Sequence, residues 1–185
     1  MEGAEKMETN TSLYFAYGSN MDVEQMRRRI PDARVVGRAV LKGWRVAERL
    51  YADIEKSRGG RVYGVLYLLS AKEMRRLDIF EGYPRTYECG RIVVHAEMMG
   101  SRSVRYRVPA YAYFMTKESR KAREGRRYPE TYRVTCAAGA RFWGLPSAFG
   151  KRETVAADAE RKNESAECLR PPAALKWRGG GAKAI

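Results

Sequence analysis

The sequence predicts a mixed alpha/beta domain of the α+β type, built on a curved or closed sheet. Three observations predict it: six or so β-rich runs, helices inserted among them without regular β-α-β alternation, and an apolar content of 44% in 185 residues, enough to pack one core. No internal repeat is evident. We expect residues 1–12 to be a polar, mobile leader, 13–150 the folded domain, and 151–185 a charged, low-complexity, mobile tail.

Leu13 to Ala16 is a short apolar run that reads as a buried strand ending in the turn Tyr17-Gly18-Ser19-Asn20. A helix should follow, with Ser19 or Asn20 capping its first amides, Asp22 and Glu24 at the positive end of its dipole, and Pro31 as its boundary. Val35 to Leu50 and Tyr51 to Glu55 read as strands, and Ser57-Arg58-Gly59-Gly60 reads as a turn into a central strand, Arg61 to Leu69. Ser70, with Glu73 three residues on, is a capping box; the helix it opens presents Met74, Leu77 and Phe80 on one apolar face until Gly82 and Pro84 stop it.

Two long strands, Tyr87 to Met98 and Val104 to Thr116, should form a hairpin joined around Met99 to Ser103. The charged stretch Lys117 to Arg127 should be a solvent-facing loop or frayed helix. Pro129 opens a last helix, Glu130 to Phe142, which ends at Gly144 and Pro146. The tail is expected to carry a short helix near Val155 to Cys168.

Composition removes several chemistries. With His95 as the only imidazole, Ser-His-Asp catalysis and His-rich metal sites lack material. Cys89, Cys136 and Cys168 are odd in number and irregularly spaced, which fits neither a disulfide framework nor a Cys-x-x-Cys zinc pair. No metal is expected, and a reducing compartment is. The start is polar and acidic, and no apolar run approaches the roughly 18 to 20 residues of a membrane span, so the expected location is the cytoplasm, away from membranes. The formal charge of +14 attracts anions. Its arginines are scattered along the chain, at Arg27 to Arg29, Arg75-Arg76, Arg102 to Arg107 and Arg120 to Arg127, and read first as a solvated surface; nucleic-acid binding is the less favoured reading.

Chemistry must then run on carboxylates, tyrosines, hydroxyls and backbone amides. The turn Tyr17-Gly18-Ser19-Asn20 delivers consecutive amide donors at the positive end of a helix, where a carboxylate or developing oxyanion would sit, and Gly18 lets a ligand approach the backbone. Taken alone, it reads first as an ordinary capped turn. Glu81 faces the negative end of its helix dipole and lies beside Ile79, Phe80 and Tyr83; both effects favour its neutral form and tune it toward proton transfer near neutrality. By itself it reads first as an exposed helix-terminal glutamate, with Asp78 a competitor in the preceding turn. Tyr87 and Tyr132 are candidates to hydrogen-bond a substrate carboxylate or to position Glu81, although most tyrosines among twelve serve packing. His95, Cys89 and Cys136 are expected to be structural.

Together these segments resemble the gamma-glutamyl cyclotransferase family. The resemblance begins at Tyr14-Phe15-Ala16-Tyr17-Gly18-Ser19-Asn20-Met21 and continues through Val62-Tyr63-Gly64-Val65-Leu66-Tyr67 and Leu77-Asp78-Ile79-Phe80-Glu81-Gly82. It resumes at Tyr128-Pro129-Glu130-Thr131-Tyr132 and closes with Gly139-Ala140 and Gly144-Leu145-Pro146. Their occurrence in the family's order is more specific than any one motif. The resemblance implies a small barrel-like fold with flanking helices, no cofactor, an anion-binding loop at Tyr17, Gly18, Ser19 and Asn20, a catalytic glutamate at Glu81, and Tyr87 and Tyr132 lining the pocket. One departure is a link from Leu50 to Tyr51-Ala52-Asp53-Ile54 shorter than in the animal enzymes, which would remove part of a substrate-contacting loop.

The implied activity converts a small-molecule gamma-glutamyl amino acid, peptide or amine to 5-oxoproline and the free amine, the substrate's α-amine attacking its own side-chain carbonyl. Such a substrate supplies its own nucleophile, which suits a chain so poor in them. The alternative is a non-catalytic module for anionic ligands or nucleic acid on the same fold.

Overall fold

The computed structural model describes residues 11–100 and 105–149. Its strands are β1 (Thr11–Ala16), β2 (Arg34–Arg49), β3 (Tyr51–Ser70), β4 (Tyr87–Met98) and β5 (Arg105–Met115). They close into a barrel in the order β1-β3-β2-β4-β5, antiparallel throughout except where β1 meets β5 in parallel at Tyr14 and Tyr111. Among the described residues, four helices flank it: α1 (Val23–Arg29), α2 (Ala71–Glu81), α3 (Lys117–Ala122) and α4 (Glu130–Phe142). The expected mixed barrel with flanking helices is thus the fold observed.

Period-2 alternation builds the core: along β4, Ile92, Val94 and Ala96 are buried while Arg91 and Val93 are exposed. Phe15, Val62, Leu66 and Leu69 fill the space against them from β1 and β3. Closure pairs both sides of β2 only over Gly37 to Val40, and beyond that the β2–β3 ladder runs on to Arg49 and Tyr51. The capping box forms as read, with Ser70 Oγ accepting from Glu73 N and Glu73 reaching back to Ser70 N.

Several local expectations are corrected. Ser57-Arg58-Gly59-Gly60 is not a turn between two strands; β3 runs through it, and the register jumps from Lys42 opposite Arg61 to Trp44 opposite Lys56. The reason is a bulge in the β2–β3 hairpin: a Cβ on Gly60 would lie 2.5 Å from the Trp44 carbonyl oxygen. β1 starts at Thr11, inside the expected leader, because Thr11 and Ser12 pair with Ser70 and Leu69. Neither Ser19 nor Asn20 caps α1. Ser19–Met21 forms a 3-10 turn first, and Asp22 takes the cap, its carboxylate accepting from Gln25 N at 2.8 Å. Phe80 is 47% exposed and leaves the apolar face to Leu77 and Met74. The charged stretch after β5, expected as a solvent-facing loop or frayed helix, is a short helix, α3, followed by exposed Glu124 to Arg127, and the helix is anchored: Ser119 is buried and Arg120 is bonded to buried Asp53. The leader up to residue 10, and the tail with its expected helix, lie outside the described residues.

α4 sits directly on the backbone that follows β1. A Cβ on Gly139 would lie 2.5 Å from Asp22 N and 2.7 Å from the Met21 carbonyl carbon, and Trp143 Nε1 donates to Met21 O at 2.9 Å. Gly139→Ala should therefore push α4 off this turn and destabilise the fold by about 1–3 kcal/mol. Urea denaturation should show a lower midpoint at an unchanged slope.

Candidate active site

A cavity of about 670 Å³ opens where the turn after β1, the end of α2 and the start of α4 meet. Tyr17, Gly18, Ser19, Asn20, Glu81, Tyr87 and Tyr132, the residues singled out from sequence, all line it. Glu81 is the one carboxylate among the lining residues.

Glu81 ends α2, and Gly82, in the left-handed region at φ 66°, turns the chain away behind it. The Glu81 side chain is 15% exposed. Asn20 Nδ2 donates to its Oε1 at 2.9 Å, and Arg29 Nη1 lies 3.5 Å from the same oxygen. Asn20 is itself held on every side: Nδ2 also donates to the Tyr14 hydroxyl, Oδ1 accepts from Arg29 Nη1, and its carbonyl accepts from the Tyr67 hydroxyl. A side chain so fully bonded fixes the carboxylate it touches. Burial raises the Glu81 pKa above the ordinary value near 4.5; Arg29 and then Asn20 oppose it, and Asp78 adds to it.

The expected source of that desolvation is corrected. Ile79, Phe80 and Tyr83 are 79%, 47% and 47% exposed, so they do not wall off the carboxylate. Phe80 instead carries the Arg29 guanidinium over its ring, 5.5 Å from the centroid. Buried Tyr14, Tyr17 and Asn20 line the cavity with Glu81. Asp78 is not among the lining residues. It accepts from the Tyr113 hydroxyl at 2.6 Å, and Tyr113 O accepts from Tyr17 OH at 2.5 Å.

The turn after β1 offers donors. Met21 N donates to Gly18 O and Asp22 N to Ser19 O, so the amides of Gly18, Ser19 and Asn20 precede the turn's own bonds, as first amides of a helix do. Gly18 also makes room for Tyr132: a Cβ there would meet the Tyr132 hydroxyl at 2.9 Å. Tyr132 OH accepts from Ala52 N at 3.0 Å, and Tyr87 OH donates to Ala52 O at 2.8 Å. The two tyrosines thus clamp the start of β3 against the cavity, and it is Asn20, not a tyrosine, that bonds Glu81. The break between β2 and β3 is a single residue, Leu50, at φ 64°.

Burial raises the hydroxyl pKa values of Tyr14, Tyr17 and Tyr132, so all three stay protonated. It also pushes the Cys89 thiol up to about 11 and Cys136 to about 12, which keeps both in the unreactive thiol form. His95 lies apart, in a smaller hollow of about 370 Å³ beside Lys42 and Arg105. Its pKa is lowered by burial, then by Lys42, Arg107 and Arg105.

Sequence reasoning missed Tyr14, Arg29 and Arg123. Arg29 was legible in part: it follows buried Met26 by three residues and shares its side of α1. Arg123 stands in a run of charges with no periodic signal.

No helix among the described residues is long and apolar enough to cross a membrane. A comparison with curated proteins gave no match. Among solved structures, one described as gamma-glutamyl cyclotransferase is similar at 23% identity and a TM-score of 0.60, over 74% of this chain and 82% of that one. An uncharacterised human protein is similar at 24% identity and a TM-score of 0.59, with the same coverage. YkqA from Bacillus subtilis is 26% identical, with a TM-score of 0.55, over 76% of this chain and 51% of its own. A family model described as gamma-glutamyl cyclotransferase, AIG2-like, matches residues 14–133, the stretch from β1 to the start of α4 that builds this cavity, and the chain belongs to that family.

Proposed function

We propose that this protein is a 5-oxoproline-forming gamma-glutamyl cyclotransferase with Glu81 as its acid and base. The observation that carries the reading is a single, largely but not fully buried carboxylate of raised pKa, bonded to Asn20, in a cavity also lined by Gly18, Ser19 and Asn20 of the turn after β1. A carboxylate tuned upward by burial can take a proton and return it near neutral pH.

The substrate enters as an α-ammonium. Glu81 removes one proton, the freed amine attacks the side-chain carbonyl carbon, and the five-membered ring closes to a tetrahedral oxyanion. Amides of the turn after β1 are placed to receive that oxygen or the glutamyl carboxylate. Protonated Glu81 then gives its proton to the departing nitrogen and takes the extra proton that attack leaves on the ring nitrogen; the carbon–nitrogen bond breaks, 5-oxoproline and the free amine leave, and that last proton passes to the amine as its ammonium. Because nucleophile and electrophile share one molecule, the cavity has only to hold the substrate in its attack conformation; effective molarities on the order of 10⁵–10⁸ M are reached in well-oriented intramolecular reactions.

The test is mass-spectrometric detection of 5-oxoproline from gamma-glutamyl amino acids, glutathione and gamma-glutamyl amines. Release from at least one class supports the reading. Release from none of them, by folded protein, overturns it. The first proton transfer needs ionised Glu81, and its pKa is raised, so kcat/KM should fall on the acid side with a midpoint above 4.5. A pH–rate profile whose acid limb lies at or below that value would contradict the assignment.

A further inference from the structure

Two arginines line the cavity, Arg29 and Arg123. Arg29 is engaged by Asn20 Oδ1, by Glu81 and by the Phe80 ring. Arg123 has no side-chain hydrogen bond or ion pair among the described residues, and its Nε is buried without an acceptor. Its backbone is well held: Arg123 N donates to Ser119 O and Arg120 O at the end of α3, and Arg120 ties that helix to buried Asp53. A buried guanidinium nitrogen left without an acceptor is costly, and its planar fork is matched best by a carboxylate.

The two guanidiniums act on different groups. Arg29 is the cation whose charge bears on Glu81, whereas Arg123 bears on the Tyr87 hydroxyl. In the reaction proposed above the α-amine must reach Glu81. The glutamyl carboxylate shares that amine's carbon, so it stays at the Glu81 end, near Arg29 and the amides of Gly18 to Asn20. The departing nitrogen is bonded to the far carbonyl. When it belongs to an amino acid, its own carboxylate lies two bonds further on, away from Glu81.

We propose that Arg123 binds the carboxylate of the departing amine and so selects gamma-glutamyl amino acids over gamma-glutamyl amines that lack this group. The inference rests on the cyclotransferase reading and assigns its leaving-group side. Tyr51, Thr131 and Thr135 line the same cavity.

The test compares gamma-glutamyl-alanine with gamma-glutamyl-ethylamine, which differ by that carboxylate, in wild type, Arg123→Ala and Arg123→Lys. One charge-assisted hydrogen bond corresponds to about a 10- to 100-fold preference. The wild type should therefore prefer the alanine compound by that much, chiefly through KM. Arg123→Ala should collapse the ratio toward 1, and Arg123→Lys should keep part of it. Equal losses on both substrates, or an unchanged ratio, overturn the proposal, since a structural role or a role on the glutamyl half would give those results. Calorimetric titration with the same two compounds reads the same discrimination in binding. If wild type binds both but releases no 5-oxoproline, the cyclotransferase reading fails while the role of Arg123 is still decided by the titration.

Discussion

Glu81→Gln should lower kcat for 5-oxoproline release by about 10³-fold or more, with KM little changed. Positioned acid–base groups contribute typically about 10²–10⁴-fold each, and here one carboxylate serves both proton transfers, so its loss leaves no partner for either. The isostere can still accept the Asn20 Nδ2–H, so the cavity should keep its shape. Glu81→Asp retains the proton but shortens the reach to Asn20 and to the substrate. It should fall between the two, because displacements of about 1 Å cost up to about 10²-fold in rate.

The same substitution should not destabilise the protein at neutral pH. The folded chain binds the Glu81 proton more tightly than the unfolded chain does, since burial raises this pKa. The group's contribution to stability is therefore fully present below the ordinary value near 4.5 and is lost as pH rises through the raised value. Glutamine carries no such penalty, so any stability gain of the mutant should appear above that window and vanish below it. Denaturation curves at two pH values, together with turnover, separate a lost catalyst from a lost fold.

Much of the barrel was legible because local signals agree with one another. Ser70 and Glu73 mark the start of α2, Pro129 and Gly144 bracket α4, and the two long runs after Pro84 pair as a hairpin. The length of β3 was not legible, because Ser57-Arg58-Gly59-Gly60 has the composition of a turn and only its partner strand shows that it bulges. At the site, the position of Glu81 at a helix end was readable. The reason for its tuning was not, since the groups that hold it, Asn20 and Arg29, reach it only through the packing of α1 against α2 and lie far away in sequence. Charged runs hide individual roles for the same reason: Arg29, Arg120 and Arg123 each resemble their solvated neighbours until tertiary structure gives them a carboxylate, a helix or a cavity.

Asp53 is the acid that sequence reading passed over, although an acid between Ala52 and Ile54, in an apolar stretch of strand, was a signal that a cation must be near. It is fully buried. Oδ1 accepts from Met115 N at 3.0 Å, and Oδ2 accepts from Arg49 Nη1 at 3.1 Å and Arg120 Nε at 2.8 Å. Asp53→Asn should cost about 3 kcal/mol. Removing one member of a buried ion pair typically costs about 3–5 kcal/mol, and the lower end applies because Arg49 keeps Glu55 at 2.7 Å and Arg120 is partly exposed. The asparagine NH₂ would also meet an arginine donor head-on. In a chain of this length that loss lowers Tm by about 6–12 °C. Arg45→Ala, which breaks an exposed ion pair with Glu55, should change stability by no more than about 1 kcal/mol and serves as the control. The effect should also reach the cavity. Ala52, whose backbone Tyr87 and Tyr132 clamp, is the neighbour of Asp53, and Arg120 holds the helix that presents Arg123. Asp53→Asn assayed well below its Tm should therefore lose preference for gamma-glutamyl-alanine over gamma-glutamyl-ethylamine, while retaining the acid limb set by Glu81. A variant destabilised as expected but with its preference intact would show that the Asp53 cluster supports the fold without placing Arg123.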